Sequence, residues 1–167
     1  MSMIGEYARL TPAELDHAIR DPEWAQEHVV GLIETELSAE PVASEARCHD
    51  IDKAWHALDF LLRRIDFPVG IVHGEEELPG AEDWGYEPPR YLTPERVRVA
   101  AKALAATPHE ALVGSVRPAE LAEAEIYPAS VWERGESLDY VTSHYRALVP
   151  FFRAAADAGD AMLIWLD

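Results

Sequence analysis

This chain offers few residues from which a chemistry can be named directly. It has one cysteine, Cys48, so no disulfide can form within it. A single thiol fits a reducing compartment. No apolar run approaches the roughly 18 residues that a membrane helix needs. The strongest stretch, AMLIWL at 161–166, is far shorter. The opening MSMIGEYARL lacks the basic leader and long apolar core of a secretory signal, and cytoplasmic residence is expected. Positive charge is scarce, with 14 Lys and Arg against 31 Asp and Glu, a net charge of −17. Such a field repels phosphate backbones and anionic lipid surfaces. Nucleic acid and membrane are therefore not expected as partners, whereas a basic protein suits the charge. No phosphate-binding GxxxxGK(S/T), dinucleotide GxGxxG, zinc-protease HExxH or nucleophile GxSxG occurs.

What the chain does have is apolar residues, 49% of the total, including five tryptophans. A length of 167 residues fits one domain with a core that needs no disulfide or metal support. Residues 3–10 read as a strand. Thr11 then caps a helix, with Pro12 in the first turn and Glu14 reaching back. A second helix is expected near 22–38, followed by a polar link at 38–47. The phrases LTPAEL, LTPERV, ATPHEAL and RPAEL read as helix starts, because proline and nearby acid suit the unpaired N–H groups of a first turn.

The segment CHDIDKAWHALDFLLRRID at 48–66 is the most informative. Ile51, Ala54, Trp55, Leu58, Leu61, Leu62 and Ile65 recur at steps of three and four, the stripe of a buried helix face. His49, Asp52, His56 and Asp59 run along its edge. If the helix begins by His49, then His49, Asp52 and His56 offer three ligands to a divalent ion, and Cys48 could add sulfur. Histidines seven residues apart stand about two turns, roughly 10 Å, apart, so no metal is expected. An Asp52–His56 hydrogen bond is the plainer reading. The enzymatic version makes His56 a general base oriented by Asp52.

Residues 74–90 form the longest irregular stretch, carrying Glu75, Glu76, Glu77, Trp84 and Tyr86 among its glycines and prolines. An aromatic, acidic loop of this length is a candidate recognition surface. Later, Glu125-Ile126-Tyr127-Pro128 reads as a turn between helices, with Tyr127 available to a pocket. Leu138, Val141, Tyr145, Leu148, Phe152 and Ala155 mark a long amphipathic helix that Pro150 should bend or end locally, and Gly159 should stop it. AMLIWL then presents apolar side chains to both faces, as an internal strand does.

Taken together, these elements predict a predominantly helical α+β fold, one domain over 1–167, whose small sheet includes the amino- and carboxy-terminal strands. Two functions compete. The favoured one is a non-catalytic binding or protein-interaction domain that offers its acidic surface, and Glu75, Glu76, Glu77, Trp84, Tyr86, Tyr91 and Tyr127, to a partner. The alternative is a small-molecule enzyme or sensor with a pocket around Asp52, His56, Tyr91 and Tyr127. Neither calls for a cofactor.

Met3-Ile4-Gly5 with Tyr7, DIDKAWHALDFLL at 50–62, GYEPPRYLTPERV at 85–97, EIYP at 125–128 and GDAMLIWL at 159–166 resemble, in that order, the YfbM-like family of uncharacterised bacterial proteins. The resemblance spans nearly the whole chain. It implies an α+β domain in a cytoplasmic bacterial protein and assigns no catalytic residue.

Overall fold

The computed structural model describes residues 2–167. Five antiparallel strands form one sheet: β1 (Gly5–Leu10), β2 (Cys48–Asp50), β3 (Glu76–Glu77), β4 (Arg90–Leu92) and β5 (Ala161–Leu166), in spatial order β2-β1-β5-β4-β3. The two terminal strands are neighbours, with Gly5 opposite Leu166 and Leu10 opposite Ala161. All six residues of β5 are buried, as its two-faced apolar sequence requires.

Alternation along the strands divides the core into two layers. Tyr7, Met162, Ile164 and Leu166 face one side. There they meet α3 (Trp55–Arg64), α4 (Pro94–Ala106) and α8 (Asp139–Ala158), together with the short helices α5 (His109–Val113), α6 (Pro118–Glu123) and α7 (Ala129–Glu133). Ala8, Leu10, Leu163 and Trp165 face the other side, against α1 (Pro12–Arg20) and α2 (Pro22–Ala39). The sheet is thus covered by helices on both faces. The chain is a mixed α+β single domain, predominantly helical, with both terminal strands in the sheet.

Local signals explain several boundaries. Thr11 Oγ1 accepts the Glu14 N–H at 3.1 Å and Glu14 Oε1 accepts the Thr11 N–H at 2.8 Å, a reciprocal capping box. Helices α1, α2, α4 and α6 all carry proline in their first turn. Gly159 closes α8 in the left-handed conformation. Pro150, expected to bend or end this helix locally, lies inside it and the helix runs on. Buried Leu148, Phe151 and Phe152 anchor that turn on the core.

The segment 48–66 is not one helix. Cys48–Asp50 is strand β2, paired with β1 so that Tyr7 lies opposite His49. Asp52–Ala54 is a single 3-10 turn, and the α-helix begins only at Trp55. The apolar period of three and four continues through the junction, which is why the sequence reads as uninterrupted. The 74–90 stretch is also more ordered than its composition suggests. Glu76 and Glu77 pair with Tyr91 and Arg90, and Leu78 and Trp84 are core residues.

Candidate functional site

Glu6 sits on β1, on the face that α2 covers. Register places Asp50 of β2 directly opposite it, and Trp165 of β5 on its other side. Asp167 extends the same ladder by exchanging hydrogen bonds with Ile4 at 2.8 and 2.9 Å. Three carboxylates therefore share one end of the sheet. Burial first, then Asp50 and Asp167, raise the Glu6 carboxyl from 4.5 to about 7. No ion pair among the described residues engages Glu6, Asp50 or Asp167.

Two adjoining recesses of about 160 and 360 Å³ flank Glu6, with Ile33 of α2 common to both. The smaller is walled by Val29, Val30, Trp84 and Trp165. The two indoles meet edge to face, 5.4 Å between centroids. The loop reaches this wall through Gly85, whose positive φ of 88° brings it against the end of β5. A Cβ there would stand 2.7 Å from the Leu166 carbonyl oxygen, so the close approach requires glycine. The larger recess runs past Leu37, Pro41, Ala46 and Cys48 to Glu36 and Asp50. Burial, then Glu36, push the Cys48 thiol up to about 12, which removes it as a nucleophile near neutrality. Val30 and Leu37 are 48% and 75% exposed, so the helix wall is an open apolar ridge. The whole is a groove with apolar walls, in which half-buried Glu6 is common to both recesses and exposed Asp167 and Asp50 each border one.

The residues singled out from sequence distribute differently. His56 and Tyr127 do meet, since the Tyr127 N–H donates to His56 Nδ1 at 2.9 Å. The Tyr127 hydroxyl accepts the Met3 N–H at 3.1 Å, and the Trp55 indole lies against both rings. Burial lowers the His56 pKa, Asp59 opposes that shift and His73 adds to it. The expected Asp52–His56 hydrogen bond is replaced by other partners. Asp52 Oδ2 accepts from the Tyr140 hydroxyl, while the only His56 bond among the described residues is the one to the Tyr127 amide. Asp52 has φ of +45° at the turn before α3, which directs its carboxylate toward α8 instead of along the helix. The proposed base therefore lacks its orienting acid.

Tyr91 does not join Tyr127. It belongs to the layer under α1 and α2, beside Glu76, while Tyr127 packs in the opposite layer. The sheet stands between them, which divides the four-residue pocket. His49 is on β2 with its ring stacked on Phe151, 5.0 Å between centroids. The helical spacing assumed for His49, Asp52 and His56 is thus lost. Among the described residues, no three His, Cys, Asp or Glu side chains group as a metal would require.

Of the loop residues, Trp84 is buried as a groove wall and Tyr86 is 41% exposed. Glu75 is held by Arg96 at 2.7 and 2.8 Å, so it is already neutralised. Glu76 and Glu77 remain exposed on the edge strand. Glu6, Asp50 and Asp167 were not among the sequence candidates. Alternation in GEYARL puts Glu6 on the same face as Ala8 and Leu10, a local hint. Only the strand register brings the other two carboxylates to it.

Among the described residues, no helix is long and apolar enough to cross a membrane. No curated protein matches the chain. In structure, the chain is similar to YfbM from Escherichia coli, described as a protein of unknown function. The TM-score is 0.61 at 20% identity, covering 98% of this chain and 99% of that one. At that identity the likeness speaks for the fold. The family model described as a domain of unknown function, DUF1877, matches residues 1–165, and the chain belongs to that family.

Proposed function

We propose that the protein is a non-catalytic recognition domain that holds a basic, amphipathic segment of another protein in the groove beneath α2. One observation carries the reading: half-buried Glu6 and its exposed neighbours Asp50 and Asp167 lie together along an apolar-walled groove, and no ion pair among the described residues engages them. Like charges opposed across a strand pair are unfavourable. A Lys or Arg side chain from a partner relieves that repulsion, while the partner's apolar face covers Val30 and Leu37. The net charge of −17 adds long-range attraction for a basic partner. The recognition surface is then mainly the groove, to which the 74–90 loop contributes Trp84 and Gly85, instead of the acids at 75–77. No cofactor enters this reading.

Fluorescence polarisation with a labelled amphipathic Leu/Lys peptide tests it, with the matching Leu/Glu peptide as control. The Lys peptide should bind, and its affinity should fall steadily with added salt. Joint Glu6→Gln and Asp50→Asn substitution should weaken it about tenfold or more. Glu76→Gln with Glu77→Gln should change it little. Equal binding of the two peptides, or binding unaffected at positions 6 and 50, would overturn the proposal.

A further inference from the structure

The strand register that gathers the acids of the groove also sets how closely they crowd. In the β1–β2 ladder the Arg9 N–H donates to the Arg47 carbonyl at 2.7 Å, and the Ile51 N–H to the Gly5 carbonyl at 2.9 Å. Those bonds make 5, 7 and 9 the hydrogen-bonded positions of β1. Glu6 and Asp50 are therefore a non-hydrogen-bonded pair, the kind whose side chains stand closest. Asp167 pairs with Ile4, which puts it diagonally across from Glu6 on the same face. Glu6 is half-buried, whereas Asp50 and Asp167 are exposed. Of three carboxyls so placed, the one with the least water keeps its proton longest. Burial first, then Asp50 and Asp167, take that carboxyl to about 7.

The elements around Glu6 bring no other group that titrates in its place. From α2, Val29, Val30 and Ile33 are apolar, Gln26 is uncharged, and Glu36 accepts the Arg47 and Cys48 N–H groups. Arg47 itself is paired with Glu14. The 74–90 loop contributes Trp84 and Gly85, and β5 contributes Trp165. On β2, Cys48 stays a thiol because burial and Glu36 raise it to about 12. Burial lowers the pKa of His49, with Asp50 opposing that shift and His144 adding to it, so this ring is neutral near neutrality.

Building on the recognition role proposed above, we infer that seating a cationic side chain in the groove beneath α2 expels a proton from Glu6, so that partner binding is proton-linked and tightens as acidity falls. In the free protein near neutrality, Glu6 is a mixture of carboxylic acid and carboxylate. A Lys or Arg side chain beside it favours the carboxylate. The cation takes the place of the proton, which passes to the solvent, and the repulsion among the three acids is relieved in either state. Apparent affinity is the intrinsic affinity scaled by the ionised fraction of Glu6. For a group that titrates near 7, that fraction grows about tenfold between about pH 6 and pH 8. A basic partner is then held in neutral and mildly alkaline surroundings and released in acid.

Isothermal titration calorimetry with an N-acetylated Leu/Lys peptide counts the protons when run at pH 7 in PIPES and in ACES, two buffers of different ionisation enthalpy. About half a proton should leave per peptide bound. Affinity should rise about tenfold from about pH 6 to pH 8 at constant ionic strength. Glu6→Gln should bind more weakly, release no proton and keep a nearly level affinity over that range. Carboxyl 13C NMR of the free protein follows Glu6 with no peptide present, and its midpoint should lie near neutrality. A Glu6 midpoint below about pH 5.5, binding that releases no proton, or proton release that persists in Glu6→Gln would overturn the proton linkage and leave the groove reading standing. A peptide that fails to bind at every pH overturns both. Melting curves confirm that the variant remains folded.

Discussion

Two glutamates respond to pH in opposite senses, for reasons visible in their immediate neighbours. Glu6 is raised from 4.5 to about 7 by burial and by Asp50 and Asp167. Between those values the folded state binds more protons than the unfolded chain, so Glu6 makes stability fall as pH rises from 4.5, with the full loss present above 7. Glu14 behaves in the reverse way. Burial alone would raise it, but hydrogen bonds from Arg47 and Thr11 overcome that and bring it to about 2. Its contribution is complete above 4.5 and is lost as pH falls toward 2. Thermal melts of Glu6→Gln should show a gain over the parent protein that is small near pH 4.5 and largest above 7. Glu14→Gln should melt lower at neutral pH, with the difference fading toward pH 2. A Glu6→Gln protein less stable than its parent at pH 8 would contradict the assignment of Glu6 as an acid without an ion-pair partner among the described residues.

At the scale of elements, α3 decides the comparison between two adjacent residues. Trp55 lies on the buried stripe, with its indole N–H donated to the Met3 carbonyl at 3.1 Å and its ring against Tyr127 and His73. Trp55→Ala should cost about 3–5 kcal/mol through the cavity it leaves. His56→Ala removes one acceptor for the Tyr127 amide, an effect of about 1 kcal/mol. Urea unfolding of both variants measures the difference, and a larger loss at 56 would place His56, not Trp55, at the centre of this packing. The stripe that supports this prediction was legible from spacing alone, as were the Thr11–Glu14 cap and the two-faced strand at 161–166. Those features are written within a few residues of one another. The strand at 48–50 was not legible, because Cys48, His49 and Asp50 continue a helical period and become a strand only by pairing with β1. The groove was hidden for the same reason. Glu6, Asp50 and Asp167 are far apart in sequence and are united by register, while Tyr91 and Tyr127 look like natural companions until the sheet separates them.

For the whole molecule, the dominant long-range term is its net charge of −17. Self-repulsion among that many carboxylates opposes compactness, and salt screens it over about 10 Å at 0.1 M. Raising sodium chloride from low to moderate concentration should therefore increase the melting temperature at pH 7.5, even though surface pairs such as Arg63–Asp59 are weakened by the same screening. A fall in melting temperature with salt would show that the ion pairs outweigh the repulsion. The sheet order has a further consequence for how the protein is made. The strand that occupies the centre, β5, is the last element of the sheet to leave the ribosome, and β1, its partner, is the first. At about 5–20 residues per second, β1 waits on the order of ten seconds with one edge unpaired. During that interval the helical hairpin of α1 and α2 is the cover available to its Ala8 and Leu10 face, so the early helices act as a shield for a strand that cannot yet find its mate.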